Sequence, residues 1–229
     1  MSPRSTVVES ISASALARAQ DYQRRAAVEN SSGHVARGFQ LAMAGWRLLK
    51  LPDVHTEDVC EPDRCRLAAR LLATLAKATV EISDVALPTM ERSLGWSACL
   101  ADQELTALML SQKALILFRG GRLDAAEQAF GEALDLMREG DRDAVRVLLN
   151  RGALFVEMGM TDRAHDDLGT AVQLSRRIGD TQFQHIALHN LGCLEFSIGN
   201  LPMALRLMQE ALEVDNQTLE GLTHLDRSR

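Results

Sequence analysis

The sequence has few aromatic residues and few prolines. Aromatic residues make up 4% of the 229 positions, and proline occurs five times. Strands are usually built from aromatic and β-branched runs, which are nearly absent here, whereas Ala and Leu, the best helix formers, dominate. The composition therefore predicts an all-α fold.

Long apolar runs are missing as well. No stretch of about 18 apolar residues occurs, so no membrane-spanning helix and no membrane partner are expected. Residues 1–20 lack the unbroken apolar segment of a secretion signal. Four cysteines in a chain of this length do not form a disulfide framework, so a reducing cytoplasm is the expected location.

Clustered positive charge is also scarce. The formal net charge is −6, although residues 1–50 carry seven Lys and Arg against three Asp and Glu. Nucleic-acid binding needs a clustered basic face, so the acidic remainder of the chain predicts no nucleic-acid partner. The basic N-terminal segment is interpreted as a solvated helix face, with docking on an acidic partner as the alternative.

A recurring set of small residues is the strongest pattern that is present. Four small positions recur together at spacings of 38 and 40 residues. Small side chains let two helices approach closely, and a glycine can adopt the left-handed conformation that ends the first helix of a pair. Each copy therefore predicts a helix pair joined by a glycine turn. The three sets are Ala114, Gly121, Ala126 and Ala133; Gly152, Gly159, Ala164 and Ala171; and Gly192, Gly199, Ala204 and Ala211.

This pattern resembles the tetratricopeptide repeat, a helix–turn–helix unit. Residues 110–134 match best, followed by 148–172 and 188–212. The period exceeds the usual length of about 34 residues, and the usual proline after the second helix is missing in all three copies. The resemblance implies an all-α, right-handed superhelical solenoid of helix pairs, with the first helices bordering a concave groove.

The long period is similar to that of bacterial regulators and of kinesin-light-chain-type arrays. The segments RRIGD at 176–180 and LHNLGCLEF at 188–196 look like parts of the N-terminal sensor arrays of actinobacterial CHAT-domain proteins, which carry a caspase-like peptidase. That resemblance covers about residues 65–229. It implies a regulatory arm without catalysis of its own, the peptidase's His–Cys pair lying beyond residue 229.

The repeat pattern predicts the following organisation. Residues 1–66 form an N-terminal helix pair, with Ala36 and Gly45 as small contacts, followed by an acidic loop at 50–65. Residues 67–216 form the repeat array, whose weakest unit has Ser83 and Pro88 where Gly and Ala are expected. Residues 217–229 are predicted to begin a further repeat. The sequence is then either a piece of a longer protein or one whose C-terminal end is covered by a partner, which can be a second copy of the chain. The predicted helices of the N-terminal pair are 8–29 and 33–50, and the predicted units are 69–106, 107–144, 145–184 and 185–216.

The sequence shows no catalytic motif. Gly120 and Gly121 are interpreted as a turn, because a helix precedes them and no Lys-Ser or Lys-Thr follows, as a phosphate-binding loop requires. No G-x-S-x-G or H-E-x-x-H motif occurs. Asp166 and Asp167 are interpreted as solvated carboxylates on a second helix. The chain is therefore predicted to be no enzyme and to need no cofactor.

Two sets of residues are candidates for metal binding. His185, His189 and Cys193 form one stripe along a helix, and imidazole and thiolate groups suit zinc or another soft divalent ion. No fourth ligand is evident, so a polar groove edge is favoured and a metal-dependent sensor is the alternative function. His55, Cys60 and Cys65 have a less persuasive spacing, and a solvated loop is favoured there.

A row of carboxamides gives the most specific functional prediction. Gln112, Asn150 and Asn190 each lie two residues before the small residue of a first helix. The resemblance places this position beside the groove, where an amide can pair with the backbone of a bound peptide; simple solvation of the groove is the alternative. The predicted function is binding of a peptide or partner domain. The remaining predicted contact residues are Phe118, Arg119, Arg146, His189 and Phe196.

Overall fold

A computed structural model describes residues 11–52, 61–138 and 140–227 of the chain, with side chains as far as Asp215 except that of Ser83. Within these ranges there are ten α-helices and no strand. None of the described helices combines the length and the hydropathy that crossing a membrane requires. The helices are α1 Ala13–Ser31, α2 Val35–Leu49, α3 Pro62–Ala78, α4 Ser83–Ala98, α5 Gln103–Arg119, α6 Leu123–Leu136, α7 Arg142–Glu157, α8 Thr161–Ile178, α9 Thr181–Ser197 and α10 Leu201–Arg227.

The chain forms two compact units. The first unit, Met1–Leu136, contains α1–α6, and the second unit, Met137–Arg229, contains α7–α10. In both, each odd-numbered helix packs against the even-numbered helix that follows it, and the odd-numbered helices also contact one another in sequence order. The two units are distinguished by the contacts within each of them, whereas the predicted division at residue 66 marks where the similarity to the repeat begins.

Glycine turns join the helices of the predicted pairs. Gly121, Gly159 and Gly199 have φ angles of +70°, +71° and +84°, which confirms the expected left-handed residue after each first helix. In all three turns the backbone N–H of the residue after the glycine donates a hydrogen bond to a carbonyl in the last turn of the first helix. Carbonyls at a helix end lack a partner within the helix, and the three turns satisfy one of them in the same way. These bonds are Arg122 N to Leu117 O at 2.9 Å, Met160 N to Phe155 O at 2.8 Å, and Asn200 N to Glu195 O at 2.9 Å.

The small residues lie where two helices meet, as predicted. A Cβ atom on Gly152 would lie 2.8 Å from Leu168 Cγ, and one on Gly192 would lie 3.1 Å from Met208 Cγ. These separations are shorter than ordinary carbon–carbon contacts of about 3.5–4.0 Å. Each second helix therefore approaches its first helix through the space that a side chain would otherwise occupy.

The N-terminal pair uses different small residues from those predicted. Ala36 is exposed, so its predicted role as a helix contact is wrong. Gly45 is buried, and its Cβ would lie 2.9 Å from Leu71 Cδ2. The contact that the sequence did not reveal is Gly38, where a Cβ would lie 1.9 Å from Asn30 Oδ1. The Asn30 carboxamide lies against the Gly38 backbone and donates from Nδ2 to Thr74 O at 3.0 Å.

The acidic loop is shorter than predicted. Helix α3 begins at Pro62, which takes the favoured first position of a helix. Residues 62–65 are consequently helical and Cys65 is buried, which corrects its assignment to a solvated loop. His55 and Cys60 lie outside the described residues. Pro88, which stands where the repeat has Ala, is the sixth residue of α4 and lies inside the helix.

Candidate functional site

The odd-numbered helices of the first unit enclose a cavity of about 280 Å³. Helix α3 lies between α1 and α5 and contacts both, so side chains of all three helices converge there. Gln112, the first predicted groove amide, is half-buried and lines this cavity. The other lining residues are Gln23, Ala27, Asn30, Ser31, Arg70, Ala73, Thr74, Lys77, Leu108 and Met109.

The cavity has an apolar base and a polar edge. Ala73 and Met109 are buried, and Ala27 and Leu108 are half-buried. Exposed polar groups border these apolar residues: Ser31 from α1, and Arg70 and Lys77 from α3. An apolar surface with a few convergent polar groups is typical of a binding site.

A second cavity, of about 210 Å³, adjoins the first. Gln23 and Arg70 line both cavities, so the two are neighbours along α1 and α3. The second cavity is more polar, with Gln20, Gln23, Arg24, Asp63, Arg66, Leu67 and Arg70 around it. We call the two cavities together the α1–α3–α5 groove.

A larger cleft lies on the even-numbered helices of the first unit. It has a volume of about 640 Å³ and is lined by residues of α4 and α6, with Lys113 and Leu117 of α5 and Arg122 of the following turn. Lys113 crosses part of it to pair with Glu91 at 2.7 Å. The predicted site residues do not line this cleft.

Phe118 and Arg119 lie at the end of α5, beyond the cavity that Gln112 lines. Phe118 is half-buried and Arg119 is exposed. Arg119 approaches Glu81 only at 4.0 Å, and both side chains are largely solvated, so this ion pair stabilises the unit little.

In the second unit the predicted amides lie on neighbouring helices. Asn150 on α7 and Asn190 on α9 are both half-buried, and these two helices contact each other. Arg146 lies one turn before Asn150 and pairs with Asp143 at 2.8 Å within its own helix. Phe196, near the end of α9, is 63% exposed, which is unusual for a large aromatic side chain.

The predicted metal stripe on α9 is only partly assembled. Cys193 Sγ lies 3.6 Å from His189 Nε2, and the His189 ring is stacked on that of His185 with 6.5 Å between centroids. His185 Nδ1 is 3.0 Å from Ala211 O, so this ring is tied to α10. Among the residues that the structure describes, no group of three or more His, Cys, Asp or Glu side chains could hold a metal ion.

An aspartate–arginine contact that the sequence did not reveal occurs in each unit. Asp102 and Asp180 precede α5 and α9, and each accepts a hydrogen bond from the backbone of that helix. Each also binds an arginine of the preceding odd-numbered helix: Arg66 reaches Asp102 at 3.3 Å, and Arg142 reaches Asp180. The signal that could have found these pairs is an Arg followed by a helix-capping Asp one period later.

The pKa of Asp180 is shifted by its surroundings. Burial disfavours its charged form, but hydrogen bonds from the Phe183 N–H and from Arg142 outweigh this cost. The pKa of Asp180 therefore lies below its ordinary value. Arg142 also lies over the Phe183 ring, 4.5 Å from its centroid, so the contact between α7 and α9 is both ionic and apolar.

Asp167 does not lie on a solvated face, which corrects the sequence interpretation. It is buried and accepts two hydrogen bonds from Arg151, at 2.7 Å and 2.8 Å. Asp166, its neighbour, is exposed as predicted. Glu195 on α9 is buried as well, and it pairs with His165 at 3.1 Å and accepts a bond from Asn200 at 2.7 Å. These carboxylates join helices rather than form a site.

Comparison with known proteins identifies the repeat. Two family models, both described as tetratricopeptide repeat, match residues 105–177 and 186–226. No curated protein matches the sequence.

Solved structures share the fold. BtubC (BKLC) from P. vanneervenii is 17% identical, with 90% of each chain covered and a TM-score of 0.69. A kinesin-light-chain protein of nearly identical TPR-like repeats from Podosopora anserina is 14% identical, covering 89% of this chain and 97% of its own, with a TM-score of 0.65. YrrB, titled a TPR protein with an unusual peptide-binding site, is 16% identical with 90% of each chain covered and a TM-score of 0.50. The chain is thus an all-α helical-repeat solenoid that carries tetratricopeptide repeats at residues 105–177 and 186–226.

Proposed function

We propose that the chain binds a peptide segment of a partner protein on the odd-numbered helices within each of its two compact units. The observation that carries this proposal is the cavity between α1, α3 and α5, which Gln112 lines together with apolar and charged side chains. Tetratricopeptide repeats are helix pairs stacked into arrays, and such arrays offer extended binding surfaces. No catalytic role is proposed for any described residue.

The amide groups supply the polar part of this proposed recognition. A carboxamide has both a donor and an acceptor, so Gln112 can form hydrogen bonds with a peptide backbone N–H or C=O, whatever side chains the peptide carries. The half-buried Leu108, one turn before Gln112, supplies apolar contact beside it. In the second unit, Asn150 and Asn190 would play the corresponding part, with the exposed Phe196 as an apolar anchor.

Peptides selected from a random library against the purified chain test this proposal. We expect Gln112→Ala to weaken the binding of selected peptides about three- to tenfold, the effect of losing one or two hydrogen bonds. Gln40→Ala, on the exposed face of α2, is the matched control and should bind like the parent chain. Fluorescence anisotropy with labelled peptides measures both, alongside the double variant Asn150→Ala with Asn190→Ala. Unchanged affinity in both Gln112→Ala and the double variant would remove the groove assignment.

Self-association through α10 is a second candidate, supported by exposed leucines. Leu201, Leu205 and Leu212 are 57%, 59% and 61% exposed. Val172, the counterpart of Leu212 one repeat earlier, is 4% exposed on α8, which packs against α9. Static light scattering should show concentration-dependent dimers that Leu205→Glu with Leu212→Glu abolishes, while Arg206→Glu leaves them intact. A strict monomer at all concentrations contradicts this candidate.

We extend the proposal to a regulatory role in a cytoplasmic bacterial protein with a CHAT-type peptidase domain. The support is the resemblance of the segments RRIGD and LHNLGCLEF to such sensor arrays. The reading frame downstream of residue 229 tests this extension. It should encode a domain with a His–Cys pair, and a stop codon directly after residue 229 would contradict it.

A further inference from the structure

We propose that the α1–α3–α5 groove selects an acidic peptide segment, with Arg24 and Arg70 receiving its carboxylates. This inference rests on the proposed function and names the chemistry of the ligand. It depends on three features of the groove: its charge, two arginines that have no partner among the described residues, and its apolar base.

The groove concentrates positive charge in a chain whose formal net charge is −6. Four cations line it, namely Arg24, Arg66, Arg70 and Lys77, against a single carboxylate, Asp63. That carboxylate lies 3.3 Å from Arg66, so its charge is already matched within the groove. Lys77 has a contact of its own, so the unmatched positive charge is that of Arg24 and Arg70, which favours an anionic ligand.

Arg24 and Arg70 differ from the arginines around them. Both side chains are exposed, and neither forms a hydrogen bond or an ion pair with any residue that the structure describes. Arg25, the next residue after Arg24, pairs with Asp21, and Arg66 pairs with Asp102. Arg70 also borders both cavities, so a ligand in either one can reach it. A free guanidinium binds a carboxylate through two parallel hydrogen bonds.

The base of the groove favours a peptide over a nucleic acid. Ala27, Ala73, Leu108 and Met109 give it an apolar surface, and the described residues that line the two cavities include no Phe, Tyr or Trp. Single-stranded nucleic acids are usually bound by aromatic side chains on which bases stack. Gln112 offers a donor and an acceptor that a peptide backbone can use. The ligand expected from these groups alternates carboxylates with apolar side chains.

Two labelled peptides test the inference. One is a fluorescein-labelled nine-residue peptide with Glu at positions 3 and 6 and Leu at positions 4, 5 and 7; the other has Gln in place of both Glu. We expect the Glu peptide to bind at least tenfold more tightly in fluorescence anisotropy, with an affinity that falls as salt rises. Arg24→Gln and Arg70→Gln should each weaken it about tenfold, whereas the Gln peptide should respond little.

Arg18→Gln is the matched control, because it removes one positive charge from an exposed site on α1 that lines neither cavity. It should leave the affinity unchanged, and circular dichroism should show all variants folded. Equal affinity for the two peptides overturns the inference but not the proposed function, which the library selection decides separately. No binding of the Glu peptide, or displacement of it by a twelve-residue oligothymidylate at equal concentration, also overturns the inference.

Discussion

The two compact units hold their helices together with different buried polar groups. In the first unit, buried Asn30, Arg64 and Ser93 donate to backbone carbonyls outside their own helices. In the second unit, buried Asp167 and Glu195 accept from an arginine and a histidine on a neighbouring helix. For these buried groups the first unit therefore uses neutral carbonyl acceptors and the second unit uses carboxylates. Substitutions of buried carboxylates should consequently destabilise the second unit most.

Asp167→Asn should give the largest loss of stability. It leaves the half-buried Arg151 without its carboxylate, and breaking a buried ion pair typically costs about 3–5 kcal/mol. Because Arg151 retains some solvent contact, we expect about 2–3 kcal/mol. Chemical denaturation followed by circular dichroism measures this loss. Asp166→Asn, at the exposed neighbouring position, is the control and should change stability by less than about 0.5 kcal/mol. Equal effects at the two positions would contradict the ion-pair account.

Gly38→Ala should destabilise the first unit by about 1–3 kcal/mol. The new methyl group would overlap the Asn30 carboxamide, so that side chain must move and its hydrogen bond to Thr74 O is weakened. Gly95→Ala, in α4, is the opposite case, because a Cβ there meets nothing within 4 Å. That change should stabilise by about 0.5–1 kcal/mol, the helix propensity gained by replacing Gly with Ala. Thermal unfolding compares the two, and stabilisation by Gly38→Ala would refute the packing of Asn30 on Gly38.

Acidification should affect the second unit through Asp180. Its pKa is lower in the folded state than the unfolded value of about 3.9, so folding favours the charged carboxylate. Its contribution is complete above about pH 5 and is lost as the pH falls through the folded pKa. Asp180→Asn keeps a helix-capping side chain but removes the charge that Arg142 binds, so it should cost about 0.5–1 kcal/mol at pH 7 and should flatten the stability profile below about pH 5. Hydrogen exchange of α9 amides at several pH values measures this, and parallel profiles for the variant and the parent chain would contradict it.

The periodic part of the fold was predictable from the sequence because it depends on local rules. Small residues at fixed spacing and glycines that need positive φ indicated the helix pairs and turns of residues 107–216, and Gly121, Gly159 and Gly199 confirm them. The prediction that Gln112 borders a groove rested on the resemblance to the tetratricopeptide repeat, and Gln112 lines a cavity in the first unit. These features require only that each helix pair repeats the geometry of the pair before it.

The remainder depended on contacts between residues far apart in the chain. Asn30 packs on Gly38 and bonds to α3, so a close contact of the N-terminal pair lies at Gly38 and not at the predicted Ala36. Asp166 and Asp167 are alike in the local sequence, and only the contact with Arg151 on α7 distinguishes Asp167. Arg24 and Arg70 border one cavity only because α1 packs on α3. No local pattern encodes such pairs.

Methyl NMR can locate the bound peptide on the first unit. With alanine methyl groups labelled and the Glu peptide added, Ala27 and Ala73 in the α1–α3–α5 groove should shift with the same dissociation constant as the anisotropy titration. Ala126 and Ala133, buried in α6 outside the groove, should keep their positions. Shifts confined to alanines outside the groove, with Ala27 and Ala73 unmoved at saturation, would contradict the claim that this face binds the partner.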